Sequence, residues 1–278
     1  MTLSHGLATD MSMWNELAEA SRSRFRVLRY DARGHGQSGA SPGDYTLSML
    51  VADIVGILDV LKIEQTHFVG LSMGGMVAQG FMLEHPKRVC SAVIADSRHT
   101  TTPEFASAWF ARAATVRKEG VEAIVTSTVE RWSSSGLSER NPAVTRRMEK
   151  MIRATSADGY CGCAAALARL DYGPRLGEIN CPVLVLCGSE DHGAPPENTR
   201  QMHKMIAKSE FLEIPQAGHI ANIEQPAIFN RAVLSFLEKG GGVAAIVIAR
   251  TAGKLSAAHI ASCSAVSPSF LTMSPHIF

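Results

Sequence analysis

Charge of one sign is what this chain lacks most plainly. Its 27 Lys and Arg stand against 26 Asp and Glu, a formal net charge of +1. A balance this even creates no field for nucleic acid or an acidic surface, so neither is expected as a partner. Long apolar runs are missing too: no stretch is apolar enough over enough residues to span a bilayer, and no membrane partner is expected. The first residues lack a charged segment followed by an apolar core, so no secretory signal is expected. Cysteine is sparse, six in all, at 90, 161, 163, 181, 187 and 263. Cys90, Cys181 and Cys187 fall in or beside apolar runs and read as buried free thiols. Cys161-x-Cys163 has no second ligand pair to complete a zinc site, so no metal is expected. A reducing cytoplasm is the simplest compartment for such a chain.

What is present is an alternation. Apolar runs at 25–30, 66–70, 89–95, 182–187 and 210–214 read as strands. Between and after them, 46–61, 75–85, 197–206 and 226–238 read as helices. Strand–helix alternation implies an α/β fold, a doubly wound and mostly parallel sheet. From about 100 to 172 the alternation stops. Amphipathic runs near 104–118, 121–132, 142–153 and 157–168 follow one another with no strand between. This segment, 100–172, is expected to be an inserted helical lid, with 1–99 and 173–239 forming the core. Lids exclude water and shape the pocket. Trp109, Phe110, Trp132 and Tyr160 are the lid's large aromatics and are expected mostly in its core.

The chemistry concentrates at Gly70-Leu71-Ser72-Met73-Gly74, between the run Thr66–Val69 and a helix-like run from Met76. Strand, tight turn, helix is the setting of a nucleophile elbow, with Ser72 the nucleophile. A serine hydroxyl needs a histidine base, and the base needs an acid to orient it. Asp191 lies just past the strand ending at Gly188, and His219 just past the strand ending near Ile214. Nucleophile, acid and base thus all fall in loops at carboxyl ends of strands, where open α/β sheets build their sites. Glu190 is the rival acid, and His192 is expected to face solvent. Two backbone donors are needed for the oxyanion: the N–H of Met73 and, from the Ser4-His5-Gly6-Leu7 loop, that of Leu7. His5 is expected to tie down its loop. The Asp31–Ser38 loop reads as a structural turn beside the site, although Arg33 is a candidate to face a substrate carboxylate. Arg98, Arg112 and Arg131 are the other candidate cations, and the sequence does not rank the four.

These residues together resemble the α/β-hydrolase superfamily, from about Leu3 to about Leu237. Within it the chain looks most like the 3-oxoadipate enol-lactonase group. The markers are Ser4–Trp14, Arg131-Trp132, Asp158–Ala165 and Asn222-Ile223-Glu224-Gln225-Pro226. The resemblance implies a cofactor-free hydrolase that opens an enol-lactone in aromatic-compound breakdown, taking a small lactone or ester as its partner molecule. It favours Asp191 as the acid and places Trp132 in the pocket wall. A homodimer is left open. A carboxylesterase or perhydrolase with the same triad is the nearest alternative; a slow-turnover ligand sensor and an inactive fragment are the others. Two features depart from the family. Only Met1–Ser4 precede the His5-Gly6 loop, which is expected to shorten a central strand and weaken the Leu7 donor's support. From Gly240 onward, residues 240–278 form an atypical tail, a disordered end being the plain expectation. Within it 243–249 is the one stretch that could supply a missing strand.

Overall fold

The computed structural model describes residues 1–240 and Leu271–Thr272. The expected replacement strand at 243–249 and Cys263 lie outside the described residues.

Strand formation follows the apolar runs. β1 (Thr2–Ser4), β2 (Leu28–Arg29), β3 (Thr66–Leu71), β4 (Val89–Ala95), β5 (Val183–Gly188), β6 (Ser209–Ile214) and β7 (Leu271–Thr272) form one sheet in the order β6-β5-β4-β3-β1-β2-β7. Every neighbouring pair is parallel. All of β5 is buried, and so are β3 and β4 apart from one residue each. Strands covered on both faces carry near-continuous apolar sequence, which is why these were the clearest to read. β2 is shorter than the expected 25–30. Its partner β1 supplies register positions only for Leu28 and Arg29, so the ladder stops there.

Among the described helices, α1 (Asn15–Ser21), α2 (Leu47–Val60), α3 (Met73–Glu84), α9 (Pro196–Met205), α10 (Ala221–Glu224) and α11 (Pro226–Gly240) belong to the alternating part. α3 packs along β1, β3 and β4 with α2 beside it, while α1 and α11 form a second pair that reaches β4. Between β4 and β5 come α4 (Pro103–Glu119), α5 (Val125–Trp132), α6 (Leu137–Arg140), α7 (Pro142–Arg153) and α8 (Ala157–Ala168). Their starts are set locally. Thr102, Asn141 and Ser156 accept N–H bonds from Phe105, Val144 and Gly159 as N-caps, and Pro103 and Pro142 follow two of these caps, where a missing N–H costs nothing. The two ends of this insertion are tied together at its base: Thr100 bridges Asp171, Thr101 N–H donates to Leu170 O (2.9 Å), and Tyr172 N–H donates to His99 O (2.8 Å).

Several expectations need correction. Phe110 is not core but 44% exposed, and its ring faces the Arg169 guanidinium. Cys90 and Cys181 are only half-buried, Cys187 alone of the three being buried; all three are free thiols. No helix among the described residues is long and apolar enough to cross a membrane.

Candidate active site

β1's two sheet neighbours are β2 and β3, so the strand order reverses around it. Crevices outside the carboxyl ends at such a reversal are where open α/β sheets hold ligands. β3 ends at Leu71 and delivers Ser72 there as the N-cap of α3, at φ 56 and ψ −113. Positive φ is strained for a residue with a Cβ, at a cost of about 1–3 kcal/mol, and the surroundings hold it. Ser72 N–H donates to Ala95 O (2.8 Å) and the Ser97 hydroxyl donates to Ser72 O (2.8 Å). Gly74 lets the turn pack directly on β1, since a Cβ there would overlap the Ser4 carbonyl.

The loop after β6 carries His219, and the loop after β5 carries Asp191. His219 Nε2 lies 2.9 Å from Ser72 Oγ. Its Nδ1 lies 2.9 and 3.0 Å from the two Asp191 oxygens, so Nδ1 carries the proton and donates. Asp191 Oδ1 also accepts the N–H groups of Gly193 (2.7 Å) and Ala194 (2.8 Å), and its side chain is buried. Glu190, the rival acid, points elsewhere and accepts Ser135 N–H (2.7 Å), which holds its carboxyl below the usual range. His192 is exposed.

Two features the sequence did not reveal support this row of residues. Asp96 follows β4, fully buried at φ 47, and its Oδ1 accepts Gly188 N–H (2.8 Å) at the root of the Asp191 loop. Burial, and then the nearby Asp191, push its carboxyl well above the ordinary range. Its position directly after the apolar run of β4 was the available signal. Glu224 in α10 forms a clamp. Its carboxylate accepts Gly218 N–H (3.1 Å) and the Ser134 hydroxyl (2.5 Å), while His219 N–H donates to Trp132 O (2.8 Å). The His219 loop and the end of α5 are thereby fixed to each other.

The cavity in front of Ser72 is lined by Leu7, Ala8, Met76, Arg98, Phe105, Trp109, Arg112, Thr128, Arg131, Trp132, Tyr160, Gly193, Ala194 and His219. Trp132 lies beside His219, the ring centroids 6.2 Å apart. Three arginines and no carboxylate line this space. Arg98 donates to Gly193 O (Nη2, 3.0 Å) and stacks 3.5 Å from the Phe105 ring centroid, and Arg112 lies over Trp109. Burial lowers both Arg98 and Arg131 to about 10, with Arg112 adding to the effect on each. Arg33 is placed elsewhere. It pairs with Asp53 (Nε to Oδ2, 2.6 Å) and lines a separate cavity of about 580 Å³ with Tyr30, Leu50 and Val77, which does not include Ser72. Among the described residues no cluster could hold a metal ion.

Comparison with known proteins shows the family. The alpha/beta hydrolase fold family matches residues 2–226. A 3-oxoadipate enol-lactonase of Acinetobacter baylyi is 34% identical over 239 residues, covering 86% of this chain and 88% of the relative. The crystal structure of the enol-lactonase from Burkholderia xenovorans superposes with a TM-score of 0.82 at 35% identity, covering 85% and 90% of the two chains. A thermophilic esterase from Thermogutta terrifontis, solved with malate bound, gives 0.83 at 32% identity, with 86% and 89% covered. The chain therefore belongs to the α/β-hydrolase family, as a hydrolase acting on esters or lactones.

Proposed function

We propose that this enzyme opens a small lactone bearing a carboxylate, of the 3-oxoadipate enol-lactone kind, by acyl transfer through Ser72. The observation that carries the reading is the pairing of the Ser72–His219–Asp191 hydrogen-bonded row with a cavity holding three arginines and no acid. Cations in a cavity wall without ion-pair partners, Arg98 among them buried, favour a substrate that brings the anion. Similarity to enol-lactonases supports the same choice.

In this scheme Ser72 Oγ attacks the carbonyl carbon as His219 Nε2 takes its proton. Asp191 fixes the His219 tautomer and stabilises the imidazolium. Met73 opens α3, so its N–H has no acceptor within the helix and serves the oxyanion. Leu7, lining the cavity beside Ser72, supplies the second N–H. Each such donor contributes about 3 kcal/mol to transition-state stabilisation. The ring C–O bond then breaks and His219 returns the proton to the departing oxygen, which stays tethered to the acyl group. Water, deprotonated by His219, attacks the acyl-enzyme, releasing the acid and restoring Ser72.

A rapid-quench mass measurement tests this chemistry. An opened lactone loses no fragment, so the Ser72 peptide should gain the full substrate mass; p-nitrophenyl acetate should add only an acetyl group. Neither adduct should form on the Ser72→Ala protein. A substrate adduct on any other residue, or turnover unaffected by Ser72→Ala, contradicts the mechanism. Simple esters are the second reading, favoured by the similarity to the Thermogutta terrifontis esterase.

A further inference from the structure

One polar group in the cavity is left without a partner. Thr128 lies on α5, is 2% exposed, and lines the Ser72 cavity. Its Oγ1 is buried and makes no hydrogen bond to any described residue. A threonine in a helix ordinarily returns its hydroxyl to a carbonyl of the preceding turn. Thr128 does not, although its neighbour Ser127 does so with Ile124 O (3.3 Å). A hydroxyl taken out of water with nothing to bond costs about 1–3 kcal/mol, so an orphan lining a cavity is a group kept for something that enters it.

Arg131 stands three residues further along α5, on the same helical face, and lines the same cavity. Among the described residues no carboxylate pairs with it. Its own bond is a long one, Nη1 to Ser127 O at 3.5 Å. The turn of α5 from 128 to 131 therefore places one unpartnered buried hydroxyl and one guanidinium without an ion pair in the wall of the space in front of Ser72. We propose that Thr128 is a specificity-determining residue: its hydroxyl donates to a substrate carboxylate that Arg131 pairs with, forming a two-pronged anion subsite at the end of the substrate remote from the scissile carbonyl. This assignment rests on the reading above that the substrate carries a carboxylate, and it adds the group that fixes the carboxylate's orientation. A guanidinium alone attracts an anion from many directions, whereas a hydroxyl one turn away accepts only one placement.

The substitution Thr128→Val tests this, because valine keeps the shape and removes only the hydroxyl. If Oγ1 waits for a ligand, Thr128→Val leaves the melting temperature unchanged or higher, as an unsatisfied polar atom has been replaced by an apolar one. KM for 3-oxoadipate enol-lactone should rise about 10-fold or more, the usual loss for a hydrogen bond to a charged group. KM for p-nitrophenyl acetate should stay within about twofold. Thr128→Ser, which keeps the hydroxyl, should restore most of the affinity for the carboxylate substrate. A lower melting temperature with equal effects on both substrates would overturn the assignment, as would a KM for the enol-lactone that does not move.

A separate readout keeps the subsite distinguishable from the choice of lactone. Adipate should inhibit hydrolysis of p-nitrophenyl acetate competitively in the wild-type protein and about 10-fold more weakly in Thr128→Val. That result supports the subsite even if the enol-lactone proves a poor substrate. Adipate that fails to compete in the wild-type protein, or competes equally well in both, overturns it.

Discussion

His5 and His35 each hold the other's loop. Ala32 N–H donates to His5 Nε2 (2.9 Å), and Ala8 N–H donates to His35 Nε2 (3.1 Å), with the two rings 5.2 Å apart. Each Nε2 is an acceptor, so each proton sits on Nδ1, facing Gly6 O in one case and Arg33 O in the other. The reciprocal pair bonds directly to Ala8, the residue after Leu7, and Ala8 itself is held at φ 59. The loop proposed to supply an oxyanion donor is thus braced by two imidazoles that must stay neutral.

That requirement has a sign. Burial, and then His5, push His35 from 6.5 down to about 3, and burial lowers His5 as well. The stabilisation from His35 is present in full above pH 6.5 and is lost as pH falls from there toward 3, because the unfolded chain takes up a proton that the folded one refuses, and His5 acts in the same direction. His35 contributes a slope approaching about 1.4 kcal/mol per pH unit in that window. Urea midpoints between pH 7 and 4 should fall more steeply for the wild-type protein than for His35→Gln, whose amide oxygen can still accept Ala8 N–H. Equal slopes would contradict the neutral pair.

Asp96 carries the opposite sign. Its carboxyl is raised, so the folded protein keeps a proton that the unfolded chain releases above about 3.8. Stability therefore falls as pH rises past that value. Asp96→Asn keeps an acceptor for Gly188 N–H and removes the titration. It should melt higher than the wild-type protein at pH 8, lose that advantage near pH 4, and remain active. A loss of activity comparable with that of Asp191→Asn would show that Asp96 acts as an anion.

Glu224→Ala releases Gly218 and Ser134 together. His219 should then lose its setting relative to Ser72, and misplacement on this scale costs up to about 100-fold in rate. kcat on p-nitrophenyl acetate is the readout, with circular dichroism to show the fold is kept. An unchanged kcat in a folded variant would show that the base loop is held without this clamp.

Gly74→Ala drives a methyl into the Ser4 carbonyl. Overpacking of this kind destabilises by about 1–3 kcal/mol, and here the strain falls on the turn that presents Ser72. The variant should melt lower and react more slowly with a fluorophosphonate at Ser72. Wild-type reactivity would mean that the turn can relax away from β1.

Much of this was legible in the sequence because it is written in local patterns. The runs that became β3, β4 and β5 are continuous and apolar, and the residues after β3, β5 and β6 include a Ser, an Asp and a His in the order that an elbow requires. Other features depend on partners distant along the chain. The length of β2 is set by β1 across the ladder. Whether Arg33 faces the pocket is decided by Asp53, twenty residues on, which captures it. Thr128 and Asp96 look ordinary in sequence, and Glu224 stands there only as part of a family marker; what sets the three apart is a missing or a captured hydrogen bond, which only the packing of α5, α10 and β4 reveals.

The most direct measurement is steady-state hydrolysis of 3-oxoadipate enol-lactone and p-nitrophenyl acetate by the wild-type and Ser72→Ala proteins side by side. The expected result is turnover that Ser72→Ala abolishes on both substrates, with the higher kcat/KM on the enol-lactone. Hydrolysis that persists in Ser72→Ala, or no hydrolysis by a folded wild-type protein, would contradict the assignment of Ser72 as the nucleophile of a working triad.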